Sequence, residues 1–105
     1  ASKNKCAHCV ELKELNVKED KIVLYNNCGF SCEITGWTIK DEGRKKFVFP
    51  EFNLNANEEA KIIVGNGTNN YSELYWIGED YVLTSTGDTI FLRDENNNLV
   101  LWKSY

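Results

Sequence analysis

The chain has 105 residues, of which 42 % are hydrophobic, with three Trp, five Tyr and five Phe. That is enough for one domain with a thin core, and it excludes a disordered tail. Net charge is −4: residues 1–46 hold nine Lys/Arg against seven Asp/Glu, residues 47–105 three against nine, so the second part repels nucleic-acid phosphates. No apolar run approaches the roughly 18 residues of a membrane-crossing helix, so no membrane insertion is expected. The start ASKNK is polar and unlike a signal peptide, but the chain contains no Met. We therefore expect a mature fragment or excised domain of a larger protein, and the missing signal says nothing about export.

The elements read as strands from one end to the other. After the arm KCAHC, the pieces VELKELNV and KIVLYN carry short apolar repeats around a turn at VKED. EITGWTIKD follows, then EGRKKFVFP, with a hairpin turn at Glu42-Gly43 and an end at Pro50. EEAKIIVGNG is a strand stopped by glycines, and DTIFLRDENNNLVLWKSY is a hairpin around an Asn-rich turn. Segments recur every ~8–12 residues without a helical period, the pattern of an all-β sandwich or barrel. We divide the chain into a cysteine-containing arm, residues 1–8, and a sandwich, residues 9–105. In the last hairpin both faces are partly apolar: Ile90 and Leu92 alternate with Phe91 and Arg93, and Leu99 and Leu101 with Val100 and Trp102. We expect it to be central in a sheet with its outer side covered, rather than a patch offered to a partner.

The stretch ITGWTIKDEGRKKFVFP, with Gly36-Trp37 inside a strand and a later Phe-Pro, resembles the lamin tail domain family. NLNANEEAKIIVGNGTN and ELYWIGEDYVLTSTGDTIFLRDENNNLV, with Gly87-Asp88 opening a strand, extend the resemblance over about residues 9–105. One departure is the usual Pro-Gly turn, replaced here by NANEE, where Asn supplies the positive backbone angle. The resemblance implies an immunoglobulin-like β-sandwich with an accessory role. In nuclear lamins such a domain binds proteins and DNA. In bacteria and archaea similar domains are attached to secreted or envelope-associated enzymes, often nucleases, and the prokaryotic type is the one expected. Read directly, Trp37 is a core anchor, Gly36 allows close approach, and Gly87-Asp88 forms a turn.

The four cysteines follow C-x2-C-x18-C-x3-C, close to the paired spacing of a tetrahedral zinc site. With Val17 opposite Asp20 in the first hairpin, Cys9 falls opposite Cys28, and Cys6 lies across from Ser31, beside Cys32. A slip of one residue would move side chains to the other face. This geometry serves either four thiolates on structural zinc or two disulfides, Cys9–Cys28 and Cys6–Cys32. A reducing cytoplasm favours the first, an exported domain the second. Reactive thiols are the weaker alternative, because CAHC does not open a helix. His8, the only histidine, is an exposed loop residue or a substitute zinc ligand.

No Gly-x-Ser-x-Gly and no phosphate-binding glycine loop occurs, so catalysis is not expected. GED at 78–80 and RDENNN at 93–98 carry calcium-type oxygens, but hairpin turns use the same residues. Asn66-Gly67-Thr68 and Asn70-Tyr71-Ser72 are glycosylation-type triplets. The expected role is non-catalytic binding or tethering to a protein or cell-envelope component, outside the cell or at its envelope. Tyr71, Tyr75, Trp76 and Tyr81 are the contact candidates, with packing over the core as their other reading. The alternatives are nucleic-acid binding through Arg44, Lys45 and Lys46, which otherwise form a solvated hairpin tip, and a small structural zinc-binding domain.

Overall fold

Val10, Leu12, Leu15 and Val17 cannot all face one way on a regular strand, because the step from Leu12 to Leu15 is odd. In the computed structural model, which describes residues 5–43, 45–70, 72–78, 82–83 and 87–105, a β-bulge between Leu12 and Glu14 absorbs that step. All four residues then pack on the core. The bulge also corrects the expected register. From Asn16↔Lys21 to Glu14↔Val23 the pairing is the one that sets Val17 against Asp20. Beyond the bulge, from Leu12↔Leu24 to Val10↔Asn26, it is shifted by one residue.

The first sheet has the order β1-β2-β7-β8, formed by Val10–Asn16, Lys21–Asn26, Glu59–Val64 and Glu73–Trp76. Its pairs are antiparallel except β7 with β8, which run parallel. The second has the order β10-β9-β4-β5, formed by Leu99–Ser104, Thr89–Arg93, Thr38–Lys40 and Lys46–Val48. A short pair, β3 (Cys32–Glu33) with β6 (Asn53–Leu54), lies between them in sequence. The chain is thus a nearly all-β, immunoglobulin-like sandwich, and Lys5–His8 forms one 3₁₀ turn ahead of β1.

Alternation fills the space between the sheets. Ile22, Leu24, Ala60, Ile62, Leu74 and Trp76 come from the first sheet, and Ile39, Phe47, Ile90 and Leu92 from the second. Each large aliphatic side chain buried this way contributes about 1.5–3 kcal/mol. Trp37 is fully buried as expected, with its indole N–H donated to the Glu95 carboxylate at 2.8 Å. Gly36 before it has φ 81°. In the NANEE turn Asn57 takes the left-handed conformation at φ 63°, in place of a glycine.

The final hairpin departs from expectation. β9 is internal, but β10 is the outer strand of its sheet, and Leu99 and Trp102 are 46 % and 60 % exposed. Its outward apolar residues therefore form a free surface, for a reason alternation alone does not reveal: neighbours in a sheet follow from long-range pairing. Here β4, not a later segment, takes the place beside β9.

Candidate functional site

The cysteines meet at one end of the first hairpin. The 3₁₀ turn carries Cys6 into a buried position and brings Cys9 to the start of β1. The shifted register sets Cys9 against Asn27, whose N–H donates to the Cys9 carbonyl at 3.0 Å. The sulfurs still pair as Cys6–Cys32 and Cys9–Cys28, with Cα separations of 5.9 and 5.1 Å, normal for disulfides. The two pairs touch: Cys28 Sγ and Cys32 Sγ are 3.6 Å apart, and the sulfurs of Cys6, Cys28 and Cys32 all lie within 4.8 Å of one another. Sulfur ligands at about 2.3 Å from zinc stand about 3.8 Å apart in a tetrahedron. Three of the four sulfurs, those of Cys6, Cys28 and Cys32, are therefore close enough together to share a metal ion if reduced, while all four form the two disulfides when oxidised. His8 is exposed and no member of this group.

A residue the sequence reading missed shapes this clasp. Asn26 is fully buried, and both of its polar atoms are hydrogen-bonded: Nδ2 donates to the carbonyls of Phe30 (3.0 Å) and Leu54 (2.8 Å), and Oδ1 accepts the Cys28 N–H (2.8 Å). These bonds tie the loop at Cys28 and Phe30 to β6, in the stretch whose two ends, Cys28 and Cys32, bring their sulfurs within 3.6 Å. The available signal was an Asn ending a strand two residues before a cysteine, the place for an Asx turn.

A second feature is the outward face of the sheet β10-β9-β4-β5. Directly paired residues share a face. One row therefore reads Trp102, Phe91, Lys40, Lys46, and the next Leu99, Arg93, Thr38, Val48. Val48 is 53 % exposed, so this face holds three of the large hydrophobics most open to solvent among the described residues. Its middle is a shallow hollow of about 370 Å³, lined by Thr38, Lys40, Lys46, Arg93 and Asn97. The sequence reading placed Lys46 in a basic run; Lys40 and Arg93 were missed, though their outward positions in the alternation were the signal for them.

The other candidates disperse. Trp76 is buried and its ring lies 5.6 Å from that of Phe47, so it belongs to the core and not to a contact surface. Tyr75 is half-buried and its ring fills the space a Cβ at Gly67 would occupy. Lys45 is half-buried at the hairpin end and Lys46 exposed. Arg44, Tyr71, Tyr81, and Glu79-Asp80 of the GED stretch, lie outside the described residues. In RDENNN, Asp94 Oδ1 accepts the N–H groups of Asn96 and Asn98 at 2.9 Å, the work of a hairpin turn.

On the outward face of the first sheet, Lys13 at the bulge pairs with Glu59, across Tyr25. The Lys13 ammonium also sits 5.5 Å from the centre of the Tyr25 ring. The hydrogen bond and charge of Lys13 hold the Glu59 carboxyl below its usual range, and the same bond raises Lys13.

No helix among the described residues is long and apolar enough to cross a membrane. No curated protein sequence matches the chain. Against family models it matches the Lamin Tail Domain over residues 6–105, a type of immunoglobulin-like, generally non-enzymatic interaction domain, and with the sandwich and the buried Trp37 in place the chain belongs to the lamin tail domain family.

Proposed function

We propose that this chain is a non-catalytic docking module that tethers the protein carrying it to a protein partner or a component of the cell envelope. The observation that carries the reading is the outward face of β10-β9-β4-β5, where Val48 on one outer strand and Leu99 and Trp102 on the other stand exposed on the same side of the sheet. The test is retention of the parent protein at its site of action. Val48→Ser with Trp102→Ala, folded as judged by circular dichroism, should release it; full retention would reject this face. Substrate turnover by the isolated domain, lost on changing single residues within it, would overturn the non-catalytic role.

The clasp supports a reading of the compartment. Two disulfides tying the N-terminal segment to the start of β3 and the loop before it suit an oxidising environment, which favours work outside the cell or at its envelope. This is also the setting in which bacterial and archaeal members of the family would serve attached enzymes. A second reading, a zinc-bound form in a reducing compartment, draws on the 3.6 Å spacing of Cys28 and Cys32. In that form Cys6, Cys9, Cys28 and Cys32 would hold the ion, which would supply cross-linking in place of the two bridges. Intact mass with and without reductant, with metal analysis, separates them: a mass lower by four hydrogens supports export, and stoichiometric zinc on reduced thiols supports the other.

A further inference from the structure

Resting on the docking reading above, we propose that the segment recognised by the face β10-β9-β4-β5 is an acidic, extended stretch of a partner protein, with carboxylates flanked by apolar side chains. Four observations converge on this chemistry. Lys40 and Lys46 stand directly opposite each other across β4 and β5, an arrangement that destabilises a sheet unless an anion lies between them. Arg93 points into the same hollow, its guanidinium held 5.4 Å from the centre of the Phe91 ring. These three cations make none of the ion pairs seen among the described residues, which belong to Lys13 and Lys21. Among the described residues no carboxylate lines the hollow, although the chain as a whole carries −4.

The apolar residues say how the segment lies. Val48 sits on the outer strand at one side of the cations, and Leu99 and Trp102 on the outer strand at the other. Three strand spacings of about 4.8 Å separate those sides by roughly 14 Å, the reach of about four residues of extended chain. A segment crossing the strands would place an apolar side chain at each rim and a carboxylate two residues from each, over the cations. Nucleic acid fits less well. Arg93 covers the Phe91 ring, leaving Trp102 as the exposed ring of the face, and base stacking uses successive open rings.

The experiment is an NMR titration of the isotope-labelled chain with three probes. These are a short synthetic peptide whose alternate positions read leucine, glutamate, leucine; its counterpart with glutamine for glutamate; and oligothymidylate. The acidic peptide should perturb amides of β4, β5 and β9 and bind about tenfold more tightly than the glutamine peptide. The preference should shrink with added salt and vanish in a Lys40→Gln, Arg93→Gln double variant whose spectrum remains dispersed. Equal binding of both peptides at this face overturns the acidic specificity and leaves the docking face standing. Tighter binding of oligothymidylate there replaces the protein partner with nucleic acid. Absence of any perturbation at this face by all three probes removes the inference, and the docking reading is then decided separately by the retention of the Val48→Ser, Trp102→Ala variant.

Discussion

Cys28 Sγ and Cys32 Sγ lie 3.6 Å apart although they belong to different disulfides. With Cys6 changed to Ser, the Cys32 thiolate is left beside the remaining bridge. Its attack on Cys28 sulfur forms a Cys28–Cys32 bond and expels Cys9 as the thiolate. Peptide mapping of Cys6→Ser at pH 8 should recover both Cys9–Cys28 and Cys28–Cys32 peptides. Cys9–Cys28 alone would mean that the two sulfurs do not meet in solution. Loss of the Cys6–Cys32 bridge should also cost about 2–4 kcal/mol in denaturant unfolding.

Asn26 is the polar centre of the clasp, and an apolar replacement strands the groups it serves. Asn26→Leu leaves the Cys28 N–H and the Phe30 and Leu54 carbonyls without their partner. Each such loss costs about 1–3 kcal/mol, so destabilisation by about 3 kcal/mol or more is expected by urea unfolding. A change below about 1 kcal/mol would show that water replaces the side chain, contrary to its full burial.

Asp20 couples the first turn to a distant segment. It adopts φ 52°, and its carboxylate accepts the N–H groups of Val82 (3.0 Å) and Leu83 (2.8 Å), whose side chains are buried. Asp20→Gly keeps the backbone conformation but loses both bonds; Asp20→Asn tolerates the conformation and keeps one acceptor oxygen. The expected order of stability is wild type, Asn, Gly, with the Gly variant down by about 2–4 kcal/mol. Hydrogen exchange at Val82 and Leu83 should accelerate in the same order.

Gly87 has φ 96°, and a Cβ built there would sit 2.5 Å from the Tyr105 carbonyl oxygen. Gly87→Ala therefore meets backbone in a conformation that already costs an L-residue about 1–2 kcal/mol. We expect a lowered melting temperature and loss of the paired bonds between Asp88 and Tyr105, read as faster exchange of the Tyr105 amide. An unchanged melting temperature would contradict this placement of Tyr105.

The pair of Lys13 with Glu59 gives a pH dependence of known sign. Glu59 is depressed by its bond to Lys13, so its contribution is present above the unfolded value of about 4.3 and is lost as pH falls through the folded value. Lys13 is raised by the same bond, so its contribution is present below about 10.4 and is lost as pH rises through its folded value. Stability from this exposed pair is confined between those limits and is weakened by salt. Lys13→Gln should return the Glu59 side chain toward its ordinary titration, followed by carboxyl NMR; an unmoved titration would deny the contact.

Much of the fold was legible because alternation is local. Ile90 and Leu92, Ile22 and Leu24, and Ile39 each show their inward face in a few residues. The sulfur pairing was legible as one of two chemistries, because a hairpin register places Cys9 and Cys6 near Cys28 and Cys32 even when a bulge shifts it. What escaped was non-local. The edge position of β10 depends on β4 pairing with β9, and the meeting of Lys40, Lys46 and Arg93 depends on three strands from separate parts of the chain. Of the two readings of Trp76, contact or packing over the core, the structure shows packing, and the sequence could not decide because its neighbour Phe47 is far away in sequence.

The bulge in β1 sits on a border of its sheet. Both bulged strands, β1 and β10, are the outermost of their sheets, and the remaining borders, β5 and β8, are only three and four residues long. Such borders give neighbouring molecules no straight row of amides to zip onto. A second molecule that approaches one of these borders therefore meets a kinked or very short edge rather than a template for adding a strand.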